Sequence, residues 1–160
     1  MTAIDKKTAA QYSEVLVCKQ DFDIVELQSS LAAQGDDIGA IASFVGLVRN
    51  INEGDPVFEM DLEHYPGMTE DSIQSIIEQA KQRWRLSAIR VVHRVGYLLP
   101  GEQIVYVGVA SLHRGESFAA CEFIMDYLKT SAPFWKKETL EGKERWVDTR
   151  DTDHTAAARW

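Results

Sequence analysis

The chain changes its hydrophobic period within one segment, residues 57–84. The first part, VFEMDLEHY, alternates acidic side chains with the apolar Phe58, Met60 and Leu62. This period of two predicts a strand with one exposed face, which is typical of an antiparallel sheet. The second part, MTEDSIQSIIEQAKQRW, repeats its apolar residues at helical spacing, and Thr69 is placed to cap the helix. A strand followed directly by a long helix indicates a mixed protein of the α+β class.

The other segments extend this mixture along the chain. Apolar runs predict further strands at EVLVCKQ, GAIASFVGLVRN, AIRVVHRVGYL, QIVYVGVASLH and ERWVD. DFDIVELQSSLAAQG predicts a helix that ends before Gly35. A second long helix, residues 117–129, is expected to stop before Pro133, because proline lacks the amide hydrogen that a helix needs. Its buried face should carry Phe118, Cys121, Ile124, Met125 and Leu128.

Length and charge limit the classes of protein that the chain can represent. We expect a polar tail, residues 1–13, and one domain, residues 14–160, with no signal peptide. The net charge of −8 argues against a nucleic-acid or anionic-membrane partner, and no apolar run approaches a membrane span. Only Cys18 and Cys121 could carry thiol chemistry, and they lack metal-ligand spacing. A reducing, cytoplasmic setting without a bound metal is therefore expected.

A set of cationic side chains stands at the ends of the predicted elements. These are Arg49 after the second strand, His113 and Arg114 before the second long helix, and Lys129, Lys136 and Lys137 around its far end. Each has a simpler interpretation. Lys129 suits a helix C-terminus and can pair with Asp126, while the others can be ordinary surface cations. His64 and His93 lie within strands and are interpreted as structural.

Taken together, these cations predict a pocket for a small anion that bears a phosphate. Arginine forks match phosphate oxygens, and a lysine crowded by other cations loses its proton more readily. Such a lysine can act as a general acid or base, or as a nucleophile. The residues by themselves do not identify the ligand.

Several segments resemble the catalytic, large-subunit family of molybdopterin synthase. They are FVGLVRN, LEHYPGMTE, HRVGYLLPGEQIVYVGVASLHR, FIMDYLKTSAPFWKKE and RWVD, in this order between Gly39 and Trp160. The resemblance implies an α/β-hammerhead fold with an additional antiparallel sheet. It also implies a homodimer that binds a small ubiquitin-like subunit at each end, as a heterotetramer.

The resemblance further implies a sulfurtransferase that needs no cofactor. The small subunit's C-terminal Gly-Gly thiocarboxylate would give two sulfurs to cyclic pyranopterin monophosphate, forming the dithiolene of molybdopterin. Lys129 corresponds to the leading catalytic residue, expected to have a lowered pKa, and Lys136 to a second essential lysine. The implied substrate contacts are Leu47, Val48, Arg49, His113, Arg114, Lys137 and Glu138, with apolar Phe44 and Met125, and Arg150 contributed by the neighbouring protomer.

The sequence departs from the family pattern at Ser131 and at Gly115–Glu116 within HRGES. These positions affect the expected fine substrate contacts rather than the reaction. Two other functions remain open at this point. The chain could be a non-catalytic docking module for a ubiquitin-like protein, or a sensor that binds a phosphate ligand without a partner.

Overall fold

A computed structural model describes residues 12–160 of the chain. Its helices are α1 (Ile24–Ala32), α2 (Met68–Arg83), α3 (Arg114–Thr130) and α4 (Asp151–Ala158). Its strands are β1 (Tyr12–Cys18), β2 (Ala40–Leu47), β3 (Ile51–Asn52), β4 (Asp55–Pro56), β5 (Glu59–His64), β6 (Ala88–Arg94), β7 (Gly96–Leu98), β8 (Gln103–Ser111), β9 (Phe134–Leu140) and β10 (Lys143–Val147). The expected tail lies outside the described residues except for Tyr12 and Ser13, which belong to β1.

The first sheet has the strand order β1-β6-β8-β2 and is covered on both faces. β1 runs parallel to β6, whereas β6–β8 and β8–β2 are antiparallel. Helix α1 covers one face through Leu27 and Leu31, which pack with Tyr106. The larger core, on the side of α2 and α3, includes Ile77 and Ile124. Burial on both faces explains why the central strands β6 and β8 are continuous apolar runs.

The second sheet is antiparallel throughout, with the order β10-β9-β5-β7. The predicted strand AIRVVHRVGYL contributes to both sheets, because β6 belongs to the first and β7 to the second. The chain changes sheets at Gly96, whose φ of 87° lies in the left-handed region that glycine tolerates best. Within residues 12–160, two four-stranded sheets, the β3–β4 hairpin and four helices confirm the α+β class, and the additional antiparallel sheet is present.

Some local predictions were wrong. Phe58 precedes β5 and is 54% exposed, while Phe118 on α3 is 64% exposed, so neither belongs to the core. Thr69 does not cap α2, because the helix begins one residue earlier, after Gly67 at a φ of 84°. The fully buried Thr69 hydroxyl instead accepts a hydrogen bond from the Tyr65 amide and donates one to the Pro133 carbonyl, each 3.0 Å long.

Strand β9, helix α4 and the short hairpin β3–β4 had no counterpart in the sequence predictions. Strand β9 follows Pro133, where no strand was predicted, and α4 occupies the polar C-terminal segment. Helix α4 is held at its end by Trp160, which packs edge-on against Trp84 and Phe123 and donates a 2.6 Å hydrogen bond to Asp126. None of the helices described within residues 12–160 has the length and apolar content needed to cross a membrane.

Candidate active site

The register of the first sheet separates the predicted cations into two groups. β2 and β8 are antiparallel, with Ala40 opposite Ser111 and Leu47 opposite Gln103. Arg49 therefore follows one end of this sheet, and His113 follows the other. Helix α3 starts at the His113 end and runs about 25 Å, the length of its 17 residues. Lys129 is thereby returned toward the end where Arg49 lies.

A cavity of about 580 Å³ lies at the Arg49 end, between the two sheets and α3. It brings together most of the predicted site residues, namely Phe44, Leu47, Arg49, Met125, Lys129, Lys136, Glu138 and Arg150. The resemblance assigned Arg150 to the neighbouring protomer, whereas this structure places it in the cavity of its own chain. The position follows from α4, because Arg150 is the N-cap residue of that helix.

Four predicted residues lie outside this cavity within the described chain. His113 and Arg114 are at the opposite sheet end, as the register requires. Val48 is only 3% exposed, and its amide donates a 2.9 Å hydrogen bond to the Glu102 carbonyl. Lys137 is on the other face of β9 from Lys136, because successive side chains of a strand alternate.

Lys136 is held inside the second sheet by its neighbours on both sides. It pairs with Leu62 of β5 and Val147 of β10, and its side chain enters the cavity. Burial, together with the adjacent Lys129, lowers the pKa of Lys136 from 10.5 to about 8. Asp153 of α4 opposes this change. A lysine with a pKa close to neutral can both give and take a proton during a reaction.

His93 also lines the cavity, although the sequence suggested only a structural role. Its ring stacks on Phe134 with centroids 3.8 Å apart, and Nδ1 lies 2.7 Å from the Arg94 carbonyl. Burial, with further contributions from Lys136 and Lys129, lowers the pKa of His93 to about 3. His93 is therefore neutral at physiological pH. The carbonyl contact assigns its proton to Nδ1.

Glu138 occupies the cavity wall as a nearly fully buried carboxylate, 2% exposed. One oxygen accepts a 2.9 Å hydrogen bond from Asn52, and the other accepts a 3.1 Å bond from Arg145. Asn52, Arg145 and Asp153 were missed by sequence reasoning. The sequence around Asn52 shows only turn-forming features, although Asn52 lies in the short strand β3, and Arg145 and Asp153 carry no periodic signal.

The cavity lining carries more cationic than anionic side chains. Within residues 12–160, no group of three or more His, Cys, Asp or Glu side chains is arranged to hold a metal ion. Cys121 is buried elsewhere, in the larger core, and burial raises its pKa to about 11. The described cavity lining includes two lysines and two arginines against three carboxylates, Glu138, Asp148 and Asp153, so cations are in excess and can bind a small anion.

The chain belongs to the MoaE protein family, whose model matches residues 17–131. A relative from Vibrio cholerae serotype O1, named molybdopterin synthase catalytic subunit, is 56% identical over 91% of this chain and 97% of its own length. One from Ralstonia nicotianae with the same name is 58% identical over 91% of this chain and 83% of its own. The solved structure of the molybdopterin biosynthesis MoaE protein from Burkholderia ambifaria is 50% identical, with a TM-score of 0.80 over 92% of this chain and 97% of that one.

Proposed function

We propose that the chain is the catalytic subunit of a molybdopterin synthase. In this role it is a sulfurtransferase that moves two sulfurs from the C-terminal thiocarboxylate of a small ubiquitin-like subunit to cyclic pyranopterin monophosphate. The observation that carries the proposal is the pairing of Lys129 with Lys136 beside Arg49 and Arg150 in one cavity. Membership of the MoaE family and the names of the relatives support the same assignment.

The cations divide into two roles. Arg49 and Arg150 hold the phosphate through charge-assisted hydrogen bonds and so orient the pterin. The thiocarboxylate sulfur then forms a bond to a pterin carbon, and the displaced oxygen leaves as water after it is protonated. Lys136 is the proton donor for this step, because its pKa of about 8 leaves it partly protonated near neutrality.

The second half of each transfer releases the partner subunit. Water attacks the acyl carbon, the acyl–sulfur bond breaks, and the products are a carboxylate on the partner and a thiolate on the pterin. A tetrahedral oxyanion forms on the way, and the Lys129 ammonium stabilises it. Sulfur is neither oxidised nor reduced, so the chemistry requires no redox cofactor. The proposal also needs no cysteine nucleophile.

The proposal includes two kinds of partner. The relatives are named as subunits, which supports assembly with the small sulfur-carrying chain. His113 and Arg114 lie at the far end of the first sheet from Arg49. If they contact substrate as the resemblance implies, a second copy of the chain must bring them to the cavity, and this supports the homodimer within a heterotetramer.

We place this reaction in the cytoplasm. Cys18 and Cys121 form no disulfide in the described part of the chain, which suits a reducing compartment. Fractionation of cells that express a tagged protein checks the location. Recovery with the membrane or periplasmic fraction would contradict it.

The test is the reconstituted reaction with purified thiocarboxylated small subunit and cyclic pyranopterin monophosphate. Lys129→Ala should lower dithiolene formation by at least about 100-fold with the fold intact. Lys143→Ala, an exposed lysine on β10, is the matched control and should turn over normally. A wild-type chain that binds the small subunit tightly but never consumes the pterin would favour the docking module instead. Binding of the pterin without any partner or turnover would favour the phosphate sensor.

A further inference from the structure

Asn52 is a buried junction at the rim of the cavity, 4% exposed. Its side-chain oxygen Oδ1 accepts hydrogen bonds from Nη2 of Arg150 at 2.6 Å and Nη2 of Arg49 at 3.3 Å. Its side-chain nitrogen Nδ2 donates to Oε1 of Glu138 at 2.9 Å. Its backbone carbonyl accepts from Nη2 of Arg145 at 2.9 Å. One small side chain therefore joins both cavity arginines to the buried carboxylate.

The chemistry of these neighbours requires a carboxamide at this position. Arginine only donates hydrogen bonds and an ionised carboxylate only accepts them, so a residue between them must do both. An aspartate at position 52 would face Glu138 as a second buried carboxylate. A leucine would leave the Glu138 oxygen without its bond to Asn52. The same neighbours fix the orientation of the amide, with its oxygen toward the arginines.

The backbone of Asn52 is fixed because Asn52 belongs to a short hairpin. β3 and β4 pair Asn52 with Asp55, and the turn between them places Glu53 at a φ of 52° and Gly54 at 84°. Arg145 of β10 spans the hairpin, since its Nη1 donates a 2.8 Å bond to Asp55 while its Nε bonds Glu138. The amide is therefore fixed in place by backbone pairing and by an ion-pair network.

We propose that Asn52 is a positioning residue that aims Arg49 and Arg150 at the anionic group of the substrate. A guanidinium has several N–H donors, so one bond to Asn52 orients the group and leaves donors for phosphate oxygens. Without Asn52, each arginine must be ordered when the anion binds, which weakens binding. Neither catalytic lysine bonds Asn52 in the hydrogen-bond network described for the chain, so the chemical step should change little.

The inference rests on the proposed function, and two measurements test them separately. In the reconstituted reaction, Asn52→Leu should raise KM for cyclic pyranopterin monophosphate about 10–100-fold while kcat stays within about 3-fold. Inorganic phosphate, titrated into the purified chain and followed by NMR, should bind the variant about 10-fold more weakly than wild type. Asn50→Leu, an exposed asparagine of the same loop, is the matched control for both measurements.

Failure of the Asn52 inference and failure of the proposed function give different results. Unchanged KM and phosphate affinity in Asn52→Leu would overturn the inference, and so would a loss of kcat with no change in KM. A wild-type chain without turnover would defeat the proposed function, yet the phosphate titration would still decide the role of Asn52. If thermal unfolding shows that Asn52→Leu does not fold, Asn52→Ala replaces it, because water can then fill the space and bond Glu138. The same results are expected.

Discussion

Lys136 and Lys137 are neighbours in the chain, but they belong to different faces of the second sheet. Lys136 points inward to the cavity, where burial and Lys129 lower its pKa to about 8. Lys137 points outward, 3.8 Å from the Glu144 carboxylate and with its Nζ 5.6 Å from the centre of the Trp146 ring. The alternation of β9 alone produces this difference. Two identical side chains thus have environments suited to different tasks.

The inner face of this sheet, which carries Lys136, is less stable than an apolar face would be, because it holds a charge that the proposed reaction needs. The outer face, which carries Lys137, has no such cost. A buried lysine close to another cation is costly, whereas an exposed ion pair contributes little in either direction. Substitutions at Lys136 and Lys137 test this difference between the two faces.

The largest expected effect is on activity. Lys136→Met should lower dithiolene formation about 10²–10⁴-fold, because it removes the proposed proton donor. Lys137→Met should change the rate less than about 3-fold, since that side chain faces away from the cavity. Turnover in the reconstituted reaction measures both. Equal losses would show that Lys137 reaches the substrate, as the resemblance implied, and that the two faces are not distinct.

Acid stability depends on the neutral His93 of β6, which lines the same cavity as Lys136. The pKa of His93 is about 3 in the folded chain and 6.5 in an unfolded one. As pH falls from 6.5 toward 3, His93 binds a proton in the unfolded chain but not in the folded chain, so the free energy of unfolding falls by about 4–5 kcal/mol. His93→Gln should flatten this part of the curve, as measured by urea unfolding at several pH values. If the stability of His93→Gln fell as steeply with pH as that of the wild type, His93 would not be the group responsible.

Lys136 should itself limit stability at neutral pH. Below pH 8, Lys136 is charged in both the folded and the unfolded chain, so the folded chain bears the full free-energy cost of burying the charge. Between pH 8 and pH 10.5, Lys136 loses its proton in the folded chain but keeps it in the unfolded chain. The free energy of unfolding of the wild type therefore increases over this pH range. Lys136→Met should be more stable than wild type by roughly 1–3 kcal/mol at pH 7 and should lack that increase. Urea unfolding at pH 7 and pH 10 provides the comparison. If Lys136→Met were less stable than the wild type at pH 7, the Lys136 ammonium would have to be well solvated in the folded chain.

The smallest effect belongs to the outer face. Lys137→Met removes the ion pair with Glu144, whose side chain is 62% exposed, and should cost less than about 0.5 kcal/mol. The same unfolding assay in low and high salt measures it. A cost of several kcal/mol, independent of salt, would indicate that the outer face is built more tightly than its exposure suggests.

Sequence reasoning succeeded where one local signal determines the structure. The apolar stripe through Ile73 and Ile77 predicted α2, and Pro133 correctly predicted the end of α3. It failed where the answer depends on which strand pairs with which. The grouping of His113 with Arg49 assumed that element ends meet, but antiparallel pairing sends them to opposite sheet ends. The role of Asn52 depends on side chains from distant elements, so its own segment carries no signal.

The Thr69 hydroxyl bonds the Pro133 carbonyl across 64 positions of sequence. This carbonyl belongs to the turn that separates the two lysines, so the geometry of the pair depends on a contact that forms only after α2 has docked. We therefore expect the lysine pair to assemble late in folding, after both lysines have been incorporated into native secondary structure. The Tyr65 amide donates to the same hydroxyl, so pulse-labelling hydrogen exchange at this amide measures when the contact forms during folding. Protection of this amide as early as that of the β6 amides would show that the pair forms with the first sheet.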